Sequence, residues 1–337
     1  MAQRMGCRET WRCYTAAITF APSSQRPHVG DVTMQQVTVR VPASTSNLGP
    51  GYDCLGVALH VHNSVTILRG RMPRSSHPRI VSDAAERFFK EVRRRAFSFS
   101  VSIAEQVPRC RGLGSSATVR LGVLFGLNRL SGEPLDRLTL FRLCAESEGH
   151  PDNAAPATFG GFTVVRSASC GPRGDTPQHG TPTFQRFVVS SRLYFVFLIP
   201  DLEIETARAR SILPSRISRI AAVENCANAC AITAAFASQD YEKMRGTFSD
   251  NLHQPFRAKL IQFLPRVIAA AERAGALGAF LSGSGSAIAA LTLEAPEKIA
   301  AAMTRSAAVP AQTIITHADN RGAQVLPIRR PPSGNHH

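Results

Sequence analysis

The chain lacks what a membrane span or a secretory leader needs. No run reaches the roughly 20 apolar residues of a membrane helix. The longest apolar stretches, Leu193–Pro200 and Ala287–Leu293, have the length of buried strands. The N-terminal region holds no continuous apolar segment, because Arg4, Arg8 and Arg12 interrupt it, which argues against a signal peptide. It is rich in Ser, Thr and Arg, with only Glu9 and Asp31 acidic before Met34, yet it forms no clean amphipathic helix of the transit-peptide kind. Lysine is scarce, at positions 90, 243, 259 and 298, so the formal charge of +15 comes almost wholly from arginine. Those arginines are spread along the chain, with small clusters at Arg93-Arg94-Arg95 and Arg329-Arg330. The first cluster reads as the solvated face of a short amphipathic helix. This argues against a nucleic-acid interface and fits a surface that steers an anionic small ligand. The eight cysteines form no CxxC pair, and no histidine stands at zinc-finger spacing. Free thiols in a reducing cytoplasm are expected, with Cys226 and Cys230 as small buried apolar residues on one helix face.

With 337 residues the chain is long enough for about two domains. Residues 1–33 are irregular and read as a disordered extension or an upstream over-extension of the reading frame. The alternation of Val37, Val39 and Val41 then opens the folded body as a strand. Strands are expected at 64–68, 97–103, 187–189, 193–199, 278–281 and 288–293. Helices are expected at 83–95, 117–130, 138–148, 221–237 and 260–274. The Gly/Pro-rich stretch 170–183 reads as a surface loop or domain joint, and 331–337 as a disordered tail. Strands and helices mix without βαβ alternation, which favours a two-domain α+β architecture over a doubly wound sheet. The division expected is 34–185 and 186–330.

The central signal is the run Pro108, Arg109, Cys110, Arg111, Gly112, Leu113, Gly114, Ser115, Ser116, Ala117 and Thr118, set between a strand and a helix. Such a turn points unpaired N–H groups and the positive end of a helix dipole at one spot, which suits a polyphosphate. It is neither a Walker A loop nor GxGxxG. Alone it reads equally well as a tight turn with a serine cap. It is accompanied by Pro42–Asp53 (PASTSNLGPGYD) after the first strand and by Leu281–Ser286 (LSGSGS) between two late strands.

Three such motifs in this order resemble the signatures of the GHMP kinase superfamily. Three further stretches narrow the resemblance to the homoserine kinase family. They are Glu148–Pro156 followed by Phe159–Phe162, Ile199–Arg210 followed by Leu213-Pro214, and Asp250–Arg257. The resemblance runs from about Met34 to Leu326. Two departures stand out: Ser286 replaces the usual proline of the third motif, and Tyr52 replaces phenylalanine in the first.

The resemblance implies an N-terminal domain like ribosomal protein S5 domain 2, a ferredoxin-like C-terminal domain, and a site in the cleft between them. It implies ATP, Mg²⁺ and L-homoserine as the reacting set, with O-phospho-L-homoserine and ADP as products. The residues of the 108–118 loop would bind ATP. Ser116 and Glu148 would hold Mg²⁺, with Glu146 competing for that role. Asn47 and Asp53 would hold the substrate amine, and Arg210 and Arg257 its carboxylate, where a planar guanidinium fits better than an ammonium. His150, Asn153 and Thr206 would line the hydroxyl end, with Asp152 another polar candidate. Asn153, Thr206 and Arg210 form the expected catalytic set, and no dedicated base is implied. His253 reads as a satisfied core histidine. Homodimers are common in that family, and the sequence neither requires nor opposes one.

Three other readings compete. A GHMP kinase for a different alcohol, such as a mevalonate-pathway intermediate, would leave Asp53 without an ammonium partner. A non-catalytic ATP-binding sensor would be expected to lose the phosphate-loop serines or the metal carboxylate, and both are present. A basic nucleic-acid-binding protein would explain none of the glycine motifs.

Overall fold

The computed structural model describes residues 36–70, 77–166 and 183–327, together with a strand at 14–18. That strand, β1 (Tyr14–Ile18), precedes the long pair β2 (Gln36–Asn47) and β3 (Gly51–Arg69). Then come α1 (Arg79–Val92), β4 (Phe99–Ala104), α2 (Ser115–Leu130) and α3 (Arg137–Glu148). The short α4 (Ala154–Phe159) leads into the hairpin β5 (Phe162–Arg166) and β6 (Thr183–Phe187). The second half runs through β7 (Tyr194–Pro200), α5 (Thr206–Ser211), α6 (Arg219–Ser238), α7 (Gln254–Arg257) and α8 (Leu264–Arg273). It ends with β8 (Gly278–Leu281), β9 (Ile288–Thr292), α9 (Pro296–Ala307), β10 (Ala311–Thr316) and β11 (Gln324–Leu326).

Two antiparallel sheets result, as the α+β expectation requires. The first has the order β1-β4-β3-β2-β11, with β5 on β3 and β6 on β5; the second has the order β10-β7-β9-β8. Strand β1 lies within the stretch expected to be a disordered extension, and pairs with β4 from Tyr14↔Ile103 to Ile18↔Phe99. The tail at 331–337 lies outside the described residues, as does 170–182 of the expected loop. The strand expected at 187–189 is displaced: β6 ends at Phe187, because its partner β5 sets the register from Arg166↔Thr183 to Phe162↔Phe187. Beyond Thr316 the chain returns to the first sheet, through the bridge Leu59↔Ala318 and the pairing of β11 with β2. Strand β3 begins at Gly51, well before the 64–68 expected, and β2 runs on to Asn47 into the motif expected to follow it, because the two pair along most of their length; the other expected helices and strands lie within a few residues of their places. The Arg93–Arg95 cluster sits just past the end of α1, whose left-handed Arg93 closes the helix.

Three packed layers of apolar side chains fix these elements. Helices α1–α4 cover one face of the first sheet through Val39, Val65, Ile67, Phe88, Leu121 and Phe141. The other sheet face, at Leu55, Val57 and Phe162, packs against Phe195, Phe197 and Phe280 of the second sheet. The alternate residues of β7, Val196 and Leu198, face α8 and α9; this is the period of two expected of a strand buried on both sides. The rings of Phe162 and Phe236 stack at 4.1 Å, tying α6 to the first sheet. The shared middle layer packs the two sheets face to face, and the glycine-rich turns gather at the seam.

Helix α6 is long and apolar enough to cross a membrane by length and composition, with a mean hydropathy of 1.3. Its polar ties are to the protein: Asn225 donates to the Pro50 carbonyl at 2.6 Å and Asn228 to that of Ser249 at 3.1 Å. Cys226 and Cys230 are exposed on it, which corrects the expectation that they are buried. The five described cysteines are all free.

Helix α2 carries the phosphate loop and is buried nearly all round, so glycines let it lie close on the sheet. A Cβ at Gly122 would come within 2.3 Å of Val65 Cγ2 and 2.6 Å of Val65 Cβ. We predict that Gly122→Ala destabilises the fold by about 1–3 kcal/mol through overpacking, although alanine is the better helix former. Thermal melting checks this; an unchanged or raised Tm would contradict the packing.

Candidate active site

The turn before α2 closes over one side of a cleft of about 340 Å³. Cys110, Gly112 and Gly114 adopt positive φ there, at 52°, 74° and 67°. This turns the backbone so that α2 begins at Ser115 with its first N–H groups facing outward. The first turn of a helix has no internal acceptor for those groups, so they form a ready anion site. Of the residues expected to bind ATP, Arg109 to Ser116 line the cleft and Pro108, Ala117 and Thr118 do not. Ala117 is core. Thr118 is buried, donating to the Ser115 carbonyl at 2.7 Å and accepting from Asn63 at 2.8 Å. Its task is to hold the helix start in place.

The three glycine motifs are laced together. Ser282 Oγ donates to the Gly112 carbonyl at 2.7 Å and meets Thr45 Oγ1 at 2.8 Å. The Ser44 N–H donates to the Leu113 carbonyl, and the Gly283 N–H to that of Ser46. Ser286, which stands where proline is usual, is buried and donates to the Leu202 carbonyl. The substitution therefore adds a tie rather than loosening the turn.

At the opposite end of the cleft, Asp53 and Arg210 form a two-pronged ion pair at 2.6 and 3.0 Å. Asn47 shapes this corner: its amide donates to the Gly283 carbonyl and accepts from the Asp53 N–H, both at 3.0 Å. Arg257 is only 2% exposed. Its Nε donates to the Ala209 carbonyl at 3.1 Å, and its Nη1 to the Gly283 carbonyl at 2.9 Å. His253 supports it. Burial, opposed by Asp250, pulls this histidine's pKa down to about 4, so the ring is neutral near pH 7. Its Nε2–H then donates to the Gly49 carbonyl, leaving Nδ1 to accept from Arg257 at 3.2 Å. Tyr52 lies under both guanidiniums, with ring distances of 5.5 Å to Arg210 and 5.4 Å to Arg257.

Between the two ends stand His150, Asp152 and Asn153. Helix α3 ends at Glu148 because Gly149 takes the left-handed conformation and Pro151 follows. The turn aims His150 Nδ1 at Asp152, 2.7 Å away. The Asn153 side chain is held by Ser44 Oγ at 2.9 Å and Ser46 Oγ at 3.1 Å. Thr206 opens α5 across the cleft, with its hydroxyl 3.4 Å from that of Ser284.

The chemistry of one more corner suits a hard divalent cation. Ser116 Oγ donates to Glu148 Oε2 at 2.6 Å, beside the phosphate loop. Arg120 Nε holds the other carboxylate oxygen at 2.6 Å. Glu146 instead pairs with Arg142 and Arg87 outside the cleft, so Glu148 is the acid placed beside Ser116.

The cleft also contains residues that carried no sequence signal. Pro78, Ile80, Ile103 and Val119 form an apolar patch beside the phosphate loop, of a kind that accepts a flat base. Apolar residues lining a ligand look like any other core residues in a sequence. Ser46, Glu105 and Ser284 were likewise missed, although Ser46 and Ser284 lie within recognised motifs.

The chain is similar to known proteins over most of its length. The family model for the GHMP kinases N terminal domain matches residues 79–161, and that for GHMP kinases C terminal matches 232–309. The chain is 35% identical over 313 residues to a homoserine kinase of Caldicellulosiruptor bescii, covering 87% of this chain and 98% of that one. It is 36% identical over 278 residues to a homoserine kinase of Moorella thermoacetica, covering 79% and 90%. A crystal structure of homoserine kinase from Cytophaga hutchinsonii superimposes with a TM-score of 0.76 at 26% identity, covering 89% of this chain and all of that one.

The His150–Asp152 pair gives the site a pH signature. Burial pulls His150 down, but the hydrogen bond and charge of Asp152 outweigh it and leave the pKa above the ordinary 6.5. Burial pushes Asp152 up, and His150 more than offsets it, leaving the carboxyl below 3.8. A raised histidine stabilises fully below its unfolded value and loses that contribution as pH rises through its folded one. A lowered carboxyl stabilises fully above its unfolded value and loses that contribution as pH falls. The Tm gap between wild type and His150→Gln should therefore be widest between about pH 4 and 6.5 and narrow towards pH 8. A gap that does not vary with pH would contradict the pairing.

Proposed function

The chain belongs to the homoserine kinases of the GHMP kinase family, and from that premise we propose how its cleft transfers the γ-phosphoryl group of ATP to the side-chain hydroxyl of L-homoserine. The products are O-phospho-L-homoserine and ADP, a step of threonine biosynthesis. The observation that carries the reading is the Asp53–Arg210 pair with Arg257 beside it. An α-amino acid brings one ammonium and one carboxylate. It can enter between Asp53 and Arg210 and leave neither charge stranded, because its ammonium takes the carboxylate and its carboxylate takes the guanidiniums. A hydroxy acid without the amine would leave Asp53 half-buried and unpaired, which is costly.

The roles follow from position. The N–H groups at the start of α2 and the loop glycines receive the phosphates, and the apolar patch receives the base. Ser116 and Glu148 would hold Mg²⁺, which supplies positive charge to the polyphosphate when bound; two hard protein oxygens fit its usual needs. Arg120 fixes the angle of the Glu148 carboxylate. Asn47 is already bonded on both sides of its amide, so it acts on the amine by placing Asp53. Asn153, His150 and Thr206 border the path of the hydroxyl.

Asp152 is a poor proton acceptor. Its pKa is lowered, and Oδ1 already accepts from His150 and from the Asn153 N–H at 3.0 Å. The hydroxyl proton therefore passes to an oxygen of the phosphoryl group as the new O–P bond forms and the bond to the β-phosphate oxygen breaks. Alignment and charge stabilisation supply the catalysis. The reaction belongs in the cytoplasm on this reading, in keeping with the free described thiols.

Homoserine-dependent ADP release tests the proposal. Asp53→Ala should lower kcat/KM for homoserine by roughly 10- to 100-fold, the usual weight of a hydrogen bond to a charged group. Glu148→Gln should lower turnover and demand more Mg²⁺. Equal turnover of homoserine and of a mevalonate-type hydroxy acid, or an unaffected Asp53→Ala, would overturn the substrate assignment.

We also propose a homodimer. Helix α6 leaves an apolar seam exposed, with Ile220 79% and Val223 63% accessible, and Ala227, Cys230, Ala234 and Ala237 continuing it at alternating steps of four and three residues. That spacing suits packing against the same helix of a second copy. Light scattering should give twice the chain mass, and Ile220→Glu should give the single-chain mass; a monomeric wild type would refute it.

A further inference from the structure

Among the described residues, one set of three side chains outside the cleft can share a metal ion. One ligand atom each from His60, His62 and Asp319 lies within 4.8 Å of the other two. None of the three lines the cleft.

The placement is built by the backbone. His60 and His62 are two residues apart on β3, where the register with β2 shifts between Pro42 and Ala43. Their rings meet edge-on at 4.9 Å. Asp319 is brought alongside by the segment that returns to the first sheet. The His60 N–H donates to the His317 carbonyl at 2.9 Å, and the Asp319 N–H to that of Ala58 at 2.9 Å. Asp319 is 4% exposed. Its Oδ1 accepts from the N–H groups of Arg321 and Gly322 at 2.7 and 2.9 Å, which fixes the carboxylate plane. Oδ2 remains for His62 Nε2, 2.7 Å away. His60 is exposed, and one of its ring nitrogens already lies within 4.8 Å of the other two ligand atoms.

We propose that His60, His62 and Asp319 form a binding site for a divalent transition cation of the zinc type. Two imidazoles and one carboxylate are the donor set such cations prefer, whereas Mg²⁺ and Ca²⁺ favour oxygen alone. Bonds of about 2.0–2.2 Å to a tetrahedral ion would set its ligands a little over 3 Å apart. The cation takes the place of the proton between His62 and Asp319, these two part slightly, and the His60 ring swings in. The solvent side supplies water as fourth ligand. Asp319 arrives already oriented by two backbone donors, as ligand carboxylates usually are. A bound ion pins residues 317–322 to β3, and so stabilises the crossing between the two sheets by mass action.

The test uses the full-length, tag-free chain after removal of metals by chelator. Zn²⁺, Co²⁺ and Mg²⁺ are titrated separately by calorimetry. Co²⁺ binding is also followed by its visible absorption, in which thiolate ligation shows as a separate charge-transfer band. The expected result is one Zn²⁺ or Co²⁺ per chain, a raised Tm, a tetrahedral spectrum without the thiolate band, and no Mg²⁺ uptake at this site. His60→Ala, an exposed change that spares the fold, should weaken binding at least tenfold. The variants Cys226→Ser/Cys230→Ser and His336→Ala/His337→Ala should leave it unchanged. No stoichiometric uptake, undiminished uptake by His60→Ala, or loss of uptake in either control variant would overturn the site.

Discussion

Backbone meets backbone at Gly112, and the cleft depends on that contact. A Cβ there would stand 2.0 Å from the Ser282 carbonyl oxygen, and the residue's φ of 74° is one that only glycine adopts freely. Because nothing intervenes, the phosphate loop lies directly on the turn after β8, and Ser282 bonds across it. The same turn receives Asn47 and Arg257 at the Gly283 carbonyl. One close approach thus joins the glycine-rich loop before α2 to the corner formed by Asn47, Asp53, Arg210 and Arg257. Elements far apart in the chain meet here, and a seam without a side chain at Gly112 lets them come that close.

The sequence conveyed the fold where local chemistry carries the signal. The valine alternation of β2, the helix α3 and the glycine turns were all legible. Strand β6 was not, because its register comes from β5 and its own residues are mostly exposed. The strand at Tyr14–Ile18, YTAAI, lacks alternation and lies within an irregular stretch, and it is placed by pairing with the edge of β4. The return of β11 to the first sheet was equally invisible, since a three-residue strand has no periodicity to read.

Within the cleft, residue types were legible and their duties less so. Asp53, Arg210, Ser116 and Glu148 all line the cleft. Asn47, Asn153 and Thr118 carry polar groups that the family resemblance assigns to ligands, yet each already bonds to neighbouring protein groups. Buried polar groups need partners, and in a cleft made of crossing loops those partners are the loops themselves. The apolar patch at Pro78 and Ile103 shows the converse: it touches the ligand space with residues that bear no chemical mark.

Arg111 extends from the phosphate loop to the far half of the protein. Its Nε donates to the Pro200 carbonyl at 3.1 Å, and its other nitrogens reach Asp201 and Glu203 at 3.2 Å. Those residues lead into α5, which presents Thr206 and Arg210. On the proposed reading, nucleotide at the loop and amino acid beside α5 would be linked through this one side chain. Reciprocity then governs the two ligands: the factor by which ATP alters affinity for the amino acid equals the factor by which the amino acid alters affinity for ATP. The cleft is one thermodynamic unit with two mouths, and a single guanidinium spans the distance between them.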